Sequence, residues 1–496
     1  MALKLTRRGF VAGLSCTALP ASGWATAPTK SLRPIARGAG FAAQAGGGIE
    51  ALVRRSGIQG QVVCAVADVK SGLHLEALNG KESLPPASVA KALTALYALE
   101  VLGADYRFET RVIATGPITN GVLQGDLVLK GGGDPTLSTD HLAALASAVK
   151  AKGIREVRGA FKVDDSALPM IKSIDAEQPD HLGYSPAVSG IALNYNRVHF
   201  EWKRGSKGYV VAMDARTEKY RPEVHMAKMK VIQRQVPVYT YADRNGVDSW
   251  TVASGALGKG GSRWLPVRRP AAYVGDVFAT MMRANGIVLK KVTVGASSGG
   301  VVLARRHSVP LSKILYGMLK YSNNLTAEMV GMTATAARGV KMRSLKDSGG
   351  AMSAWAAQRY AMSETRMVDH SGLGDASRMS AVDLVGALVK VRKIGVLHPL
   401  LKPFPMRDAN GRINKKHPIK VNAKTGTLNF VSGLGGFMTA ADGTELAFAI
   451  FVADVDRRAR IKRADREVPP GARTWNRSAK KLQQKLIERW GALYGS

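Results

Sequence analysis

The sequence predicts an α+β fold in which both ends of the chain supply one antiparallel sheet, with helices on both faces and a large β-rich insertion in between. Three observations predict it. An apolar strand pattern over 61–69 turns at Lys70-Ser71-Gly72 and returns over 73–78, the form of a hairpin. Strand patterns recur at the other end as a meander over 419–430, 433–439 and 446–453. Between the ends, helical spacing appears at 271–285, 311–320, 325–338, 349–362 and 381–391, whereas 116–270 changes to short alternating segments separated by turns.

Taken in order, the first element is an address. Lys4, Arg7, Arg8 and Phe10 precede a short apolar run to Trp24 and the small residues Ala25-Thr26-Ala27, the parts of a secretory signal. The paired arginines fit the twin-arginine type, so residues 1–27 are expected to direct export, into a periplasm. Residues 28–48 are rich in Gly, Ala and Pro and aperiodic, which reads as a linker. Pro85-Pro86 then stand ahead of an apolar helical stretch over 88–102, where prolines favour a helix start. In the centre, 123–129 and 197–202 alternate as strands do, Gly131-Gly132-Gly133-Asp134-Pro135 is turn-rich, and one helix is expected over 141–152. An amphipathic basic helix over 478–490 closes the chain. The expected division is one body from 49–115 and 271–496, with 116–270 inserted into it.

Composition narrows the function. The chain has 496 residues, and 71 Lys and Arg against 37 Asp and Glu give a net charge of +34, which calls for an anionic partner. An apolar fraction of 46% excludes a mostly disordered chain. Two cysteines, Cys16 inside the signal and Cys64, exclude a disulfide framework. Scattered charge and 6% aromatics offer no stacking platform for nucleic acid. The nine histidines include no His-Glu-x-x-His, and one remaining cysteine cannot build a Cys-rich zinc site, so neither a metal nor a cofactor is expected.

Three short motifs carry chemistry. In Ser88-Val89-Ala90-Lys91 the three-residue spacing puts both side chains on one helical face. A serine hydroxyl is a poor nucleophile until a base takes its proton, and a lysine serves if burial or nearby positive charge keeps it neutral. In Tyr321-Ser322-Asn323-Asn324, between two helices, a second hydroxyl and a carboxamide can relay a proton and hold a substrate amide. In Lys424-Thr425-Gly426-Thr427, on a strand, the lysine and threonine suit a terminal carboxylate, and Gly426 lets a substrate backbone lie close. Single hits mean little. Ser478-Ala479-Lys480-Lys481 and Lys70-Ser71-Gly72 fit the same patterns, in a basic helix and a hairpin turn. The ordered triple, each member in its expected context, is the signature of penicillin-binding proteins and class A β-lactamases.

Around this triple the chain resembles the low-molecular-mass penicillin-binding proteins that are D-alanyl-D-alanine carboxypeptidases, in particular the penicillin-binding-protein-4-like or S13 subgroup. The context Pro85-Pro86-Ala87-Ser88, the 103–110 segment, Gly125 to Leu137, and Asp369-His370-Ser371-Gly372-Leu373 all look like that subgroup, as does the long separation between Ser88 and Ser322. The resemblance implies the transpeptidase-type fold and makes 49–115 with 271–496 the DD-peptidase body. It also implies Ser88 as acylated nucleophile, Lys91 as its base, and Ser322 and Asn324 as proton relay and peptide holders. Lys424 and Thr425 would grip the carboxylate, and the backbone N–H groups of Ser88 and Thr427 would form the oxyanion hole. Asp180, Tyr184 and Arg378 are implied in binding a diaminopimelate side chain. Implied partners are peptidoglycan stem peptides, β-lactam antibiotics as inhibitors, and an anionic cell wall or membrane surface.

Two positions depart from the subgroup: His370 where a small residue is usual, and Asn323 where Asp is common. Asp369-His370-Ser371 reads as a turn, because adjacent residues do not form a hydrogen-bonded catalytic triad. The rival readings are a β-lactamase or esterase of the same fold and a non-catalytic wall-binding protein. Class A β-lactamases need a Glu-x-x-x-Asn segment between Lys91 and Ser322 that this sequence lacks. Endopeptidase action beside carboxypeptidase action is compatible with the same residues.

Overall fold

Both ends of the chain meet in one sheet. The computed structural model describes residues 48–495. The expected signal over 1–27 and the linker up to residue 47 lie outside the described residues, and Gly48 already opens the helix Gly48–Ser56. The six strands run in the order Lys402–Pro403, Lys420–Leu428, Val431–Thr439, Glu445–Ala453, Gln61–Asp68, His74–Leu78, every neighbour antiparallel. The seam between the two ends is Gln61–Asp68 against Glu445–Ala453, with Gln61 opposite Ala453 and Asp68 opposite Leu446.

Both faces of this seam are covered, which is why its strands read as unbroken apolar runs. Successive side chains point to opposite faces. Val63, Ala65 and Ala67 join a core with the helices Ala90–Leu102, Leu311–Tyr321, Leu345–Tyr360 and Ala381–Ile394. Val62, Cys64 and Val66 join a second core beneath the C-terminal helix Ala472–Tyr494. That helix faces the sheet with Trp475, Ala479, Leu482, Leu486 and Trp490, a spacing of three and four that keeps one stripe inward. The first nine residues of the helix Ala90–Leu102 present no polar face: every residue from Ala90 to Ala98 is buried, Lys91 and Thr94 among them.

The central segment forms its own layers. A five-stranded sheet runs Val292–Val294, Phe161–Asp164, Leu127–Lys130, Glu109–Ala114, Val301–His307, with helices Thr139–Ala151 and Pro270–Ala284 in the same core. Three three-stranded sheets accompany it, one built on Arg197–Gly205, one on Val247–Ala253 and a short one of Ile118–Thr119, Val122–Leu123 and Glu156–Val157. This places the junctions elsewhere than at 115/116 and 270/271. The strand Glu109–Ala114 pairs with Leu127–Lys130, and Tyr273, Val274, Val277 and Phe278 of the helix Pro270–Ala284 pack in the central core. By packing, the central body spans about 109–307. Periodicity alone could not assign that helix to one body or the other.

Candidate active site

The helix Ala90–Leu102 is preceded by a 3₁₀ turn, Ala87–Val89, so Ser88 sits just before the helix expected to begin with it. Two features mark this turn. Ala87 has φ +46°, a left-handed conformation costly for a residue with a Cβ. Gly426 lies against it: a Cβ there would stand 2.8 Å from the Pro86 carbonyl and 2.9 Å from the Ser88 amide nitrogen. The close approach that Gly426 permits is thus to the serine turn itself, where the sequence suggested a substrate backbone.

Lys91 is fully buried, and its Nζ donates to Ser88 Oγ at 3.0 Å, to Asn324 Oδ1 at 2.7 Å and to the Ser371 carbonyl at 2.7 Å. Burial pushes its pKa down to about 8, against the opposing pull of Glu328 and then Asp369. About a tenth of the amine is therefore neutral at pH 7, and more as pH rises, beside a hydroxyl that needs a base.

The second motif occupies a two-residue link between helices Leu311–Tyr321 and Asn324–Ala337. Ser322 is the left-handed C-cap of the first, φ +58°, and Asn323 is the N-cap of the second, its Oδ1 accepting from the Thr326 N–H at 2.9 Å. Asn and Asp cap a helix equally well, which accounts for Asn323. Ser322 Oγ accepts from Lys424 Nζ at 3.0 Å, and the same ammonium reaches the Thr425 carbonyl at 2.6 Å. Burial, then the charges of Lys91 and Lys402, push Lys424 down to about 6.

A cleft of about 260 Å³ opens over these groups, lined by Ser88, Ser322, Asn324 and Thr427 on one side and by Gln178 and Tyr184 of the central body on the other. Asn324 Nδ2 donates to the Tyr184 carbonyl at 2.9 Å, joining the two bodies at the site. Beyond Ala423 the strand Lys420–Leu428 has no outer neighbour among the described residues, so its edge from Lys424 onward is open to an added strand. Thr425 lines an adjoining groove instead of the cleft.

Of the three residues implied in side-chain binding, only Tyr184 reaches the cleft. The Asp180 carboxylate is taken by Arg463 at 2.7 Å, and Arg378 folds its guanidinium onto the carbonyls of Asp375 and Ser377 at 2.6 and 3.0 Å. Neither lines the cleft; Arg458 and Arg466 do, both paired with Asp375.

Motif reading missed the support behind Lys91. The buried carboxylate of Glu328 accepts from the His370 and Ser371 N–H groups, each at 2.9 Å, and so aims the Ser371 carbonyl that holds Lys91. Burial, and then the Asp369 charge, raise the Glu328 pKa. An acid on an otherwise apolar helical face was the available signal. Asp369 caps a turn, accepting from the N–H groups of Gly372 and Gly374 at 3.0 and 2.7 Å, as the turn reading expects. His370 points away from that turn, bonded to Ser348 at 2.7 Å and pushed down to about 3 by burial. It fits because Gly331 faces it: a Cβ there would stand 2.2 Å from the ring.

The fold and this paired serine–lysine geometry are those an acyl-transfer site requires, a serine hydroxyl at a helix start with a buried lysine 3.0 Å away. Residues 45–468 match the model of the D-Ala-D-Ala carboxypeptidase 3 (S13) family, and the chain belongs to that family. It is 30% identical over 450 residues to a D-alanyl-D-alanine carboxypeptidase of Actinomadura sp. (strain R39), covering 81% of this chain and 79% of that protein. It is 25% identical over 416 residues to D-alanyl-D-alanine carboxypeptidase DacB of Haemophilus influenzae, covering 78% and 84%. The crystal structure of penicillin-binding protein 4 (dacB) from Haemophilus influenzae matches with a TM-score of 0.69 at 21% identity, over 88% of this chain and 99% of that one. The α+β penicillin-binding-protein fold expected from the sequence is the fold of this chain.

Proposed function

We propose that the chain is a serine-type D-Ala-D-Ala carboxypeptidase acting on peptidoglycan stem peptides, with Ser88 as nucleophile and Lys91 as base. The observation that carries this reading is the Lys91 amine, depressed to about 8 and 3.0 Å from Ser88 Oγ. Lys91 takes the Ser88 proton as Oγ attacks the carbonyl between two D-alanines. The C–N bond breaks, the proton is passed to the leaving amine with Ser322 as relay, and water then hydrolyses the ester and restores Ser88. Asn324 holds the peptide amide, and Lys424 with Thr427 receives the terminal carboxylate. Backbone N–H groups of Ser88 and Thr427 stabilise the oxyanion. β-Lactams acylate the same serine and leave slowly. The twin-arginine-type segment over 1–27 supports export to a periplasm, and the net charge of +34 supports adhesion to an anionic wall or membrane.

Release of D-alanine from a pentapeptide ending in D-Ala-D-Ala tests the reading. The wild type is expected to release it and Ser88→Ala is not. Steady turnover of a cephalosporin with no D-alanine release would favour a β-lactamase, and wall binding without either activity would favour a binding protein.

A further inference from the structure

The catalytic cleft is small, and a second, larger cavity adjoins it. A groove of about 1250 Å³ runs between the C-terminal helix Ala472–Tyr494 and the chain at 404–411, and Thr427 and Asn476 line both spaces. The inner stripe of that helix is committed to the sheet, so its outer face forms the groove wall. Arg473, Arg477, Lys481 and Lys485 follow one another there at four-residue spacing, with Lys480 beside them, all exposed. Like charges four apart on a helix repel and destabilise it, yet no acid interrupts this row. None of the five makes an ion pair among the described residues. The row extends roughly 18 Å along the helix axis. Asp408 and Glu488 are the groove's acids; Asp408 is held by the Asn410 and Arg412 N–H groups and Glu488 by Gln484.

Resting on the carboxypeptidase reading, we propose that this groove is a docking site for the polycarboxylate strand that carries the stem being cut. Each uncut stem ends in a carboxylate, so a strand bearing many stems is a polyanion whose charge matches the row, and Thr427 and Asn476 line both the cleft and the groove. Three features favour this over other anions. The cations line a concave space and not a flat face, which suits a chain better than a membrane. The groove opens beside Thr427, so one molecule can occupy both spaces. Its lining holds one aromatic, Phe404, and no platform for stacked bases.

The test compares the full chain with its Lys480→Glu/Lys481→Glu/Lys485→Glu variant on two substrates: a short D-Ala-D-Ala peptide with no other carboxylate, and uncross-linked polymeric peptidoglycan. Penicillin acylation reports that the variant is folded. The expected result is short-peptide kcat/KM within about twofold of wild type, polymer kcat/KM about tenfold lower, and a flattened salt dependence. Unchanged polymer kcat/KM and salt slope would overturn the proposal. So would a variant whose only loss is sedimentation with phosphatidylglycerol vesicles. Polymer binding to Ser88→Ala, with and without the triple substitution, reads the groove without turnover, so failure of the carboxypeptidase reading and failure of the groove stay separable.

Discussion

Lys424 Nζ lies 3.0 Å from Ser322 Oγ, and the pair mirrors the equally spaced contact of Lys91 with Ser88. Both ammonium groups are buried and both are shifted toward the neutral amine, Lys424 further because Lys91 adds its charge to the desolvation. The site thus holds two hydroxyls, each with its own proton acceptor, and the open edge of one strand beside them.

The first consequence is a pH profile. Lys91 loses its proton as pH rises, and only the neutral amine accepts the Ser88 proton. Acylation by an ester lacking a terminal carboxylate should rise with pH, about tenfold per unit well below 8, and level off above about 8. Stopped-flow rates between pH 6 and 10 check this; a rate independent of pH across that range would contradict it.

Carboxylate binding should take up protons. Unliganded Lys424, held down to about 6, is mostly neutral at pH 7.5, and a bound carboxylate favours its charged form. Calorimetry of D-Ala-D-Ala peptide binding to Ser88→Ala, in buffers of different ionisation enthalpy, should show proton uptake. The C-terminally amidated peptide should show none.

Lys424 also costs stability. Its pKa is near 10.5 unfolded and about 6 folded, so between these values the unfolded chain binds more protons and stability rises with pH. Lys424→Met should therefore raise Tm at pH 7, with the gain shrinking toward pH 10, while kcat/KM falls by about 10²–10³. A variant less stable than wild type at pH 7 would count against the neutral buried amine.

Gly331 and His370 should be coupled. A Cβ at position 331 would overlap the buried ring, so Gly331→Ala should destabilise by about 1–3 kcal/mol, as overpacking does. Adding His370→Ala removes the clash, and the double variant should be more stable than the sum of the single effects. Denaturant titration of the four proteins reads the coupling, and additivity would mean the two residues do not meet.

Much of this site was legible because its chemistry is local. Ser88–Lys91, Ser322–Asn324 and Lys424–Thr427 each fit within four residues, and their settings at a helix start, an inter-helix link and a strand follow from Pro85-Pro86 and simple periodicity. The sheet was legible too, because strands buried on both faces, such as Gln61–Asp68, leave continuous apolar runs. What escaped depends on distant partners. Glu328 gains its role from the N–H groups of His370 and Ser371, and Asp180 is withdrawn from the cleft by Arg463. The helix Pro270–Ala284 has the same pattern whichever body it covers, so only packing assigns it to the centre.

Ser88 is the residue expected to be acylated. Intact-mass analysis and peptide mapping after incubation with penicillin G test it directly. The expected result is a single adduct on the peptide containing Ser88, absent from Ser88→Ala and formed far more slowly by Lys91→Ala. An adduct on another residue, or one that persists in Ser88→Ala, would contradict it.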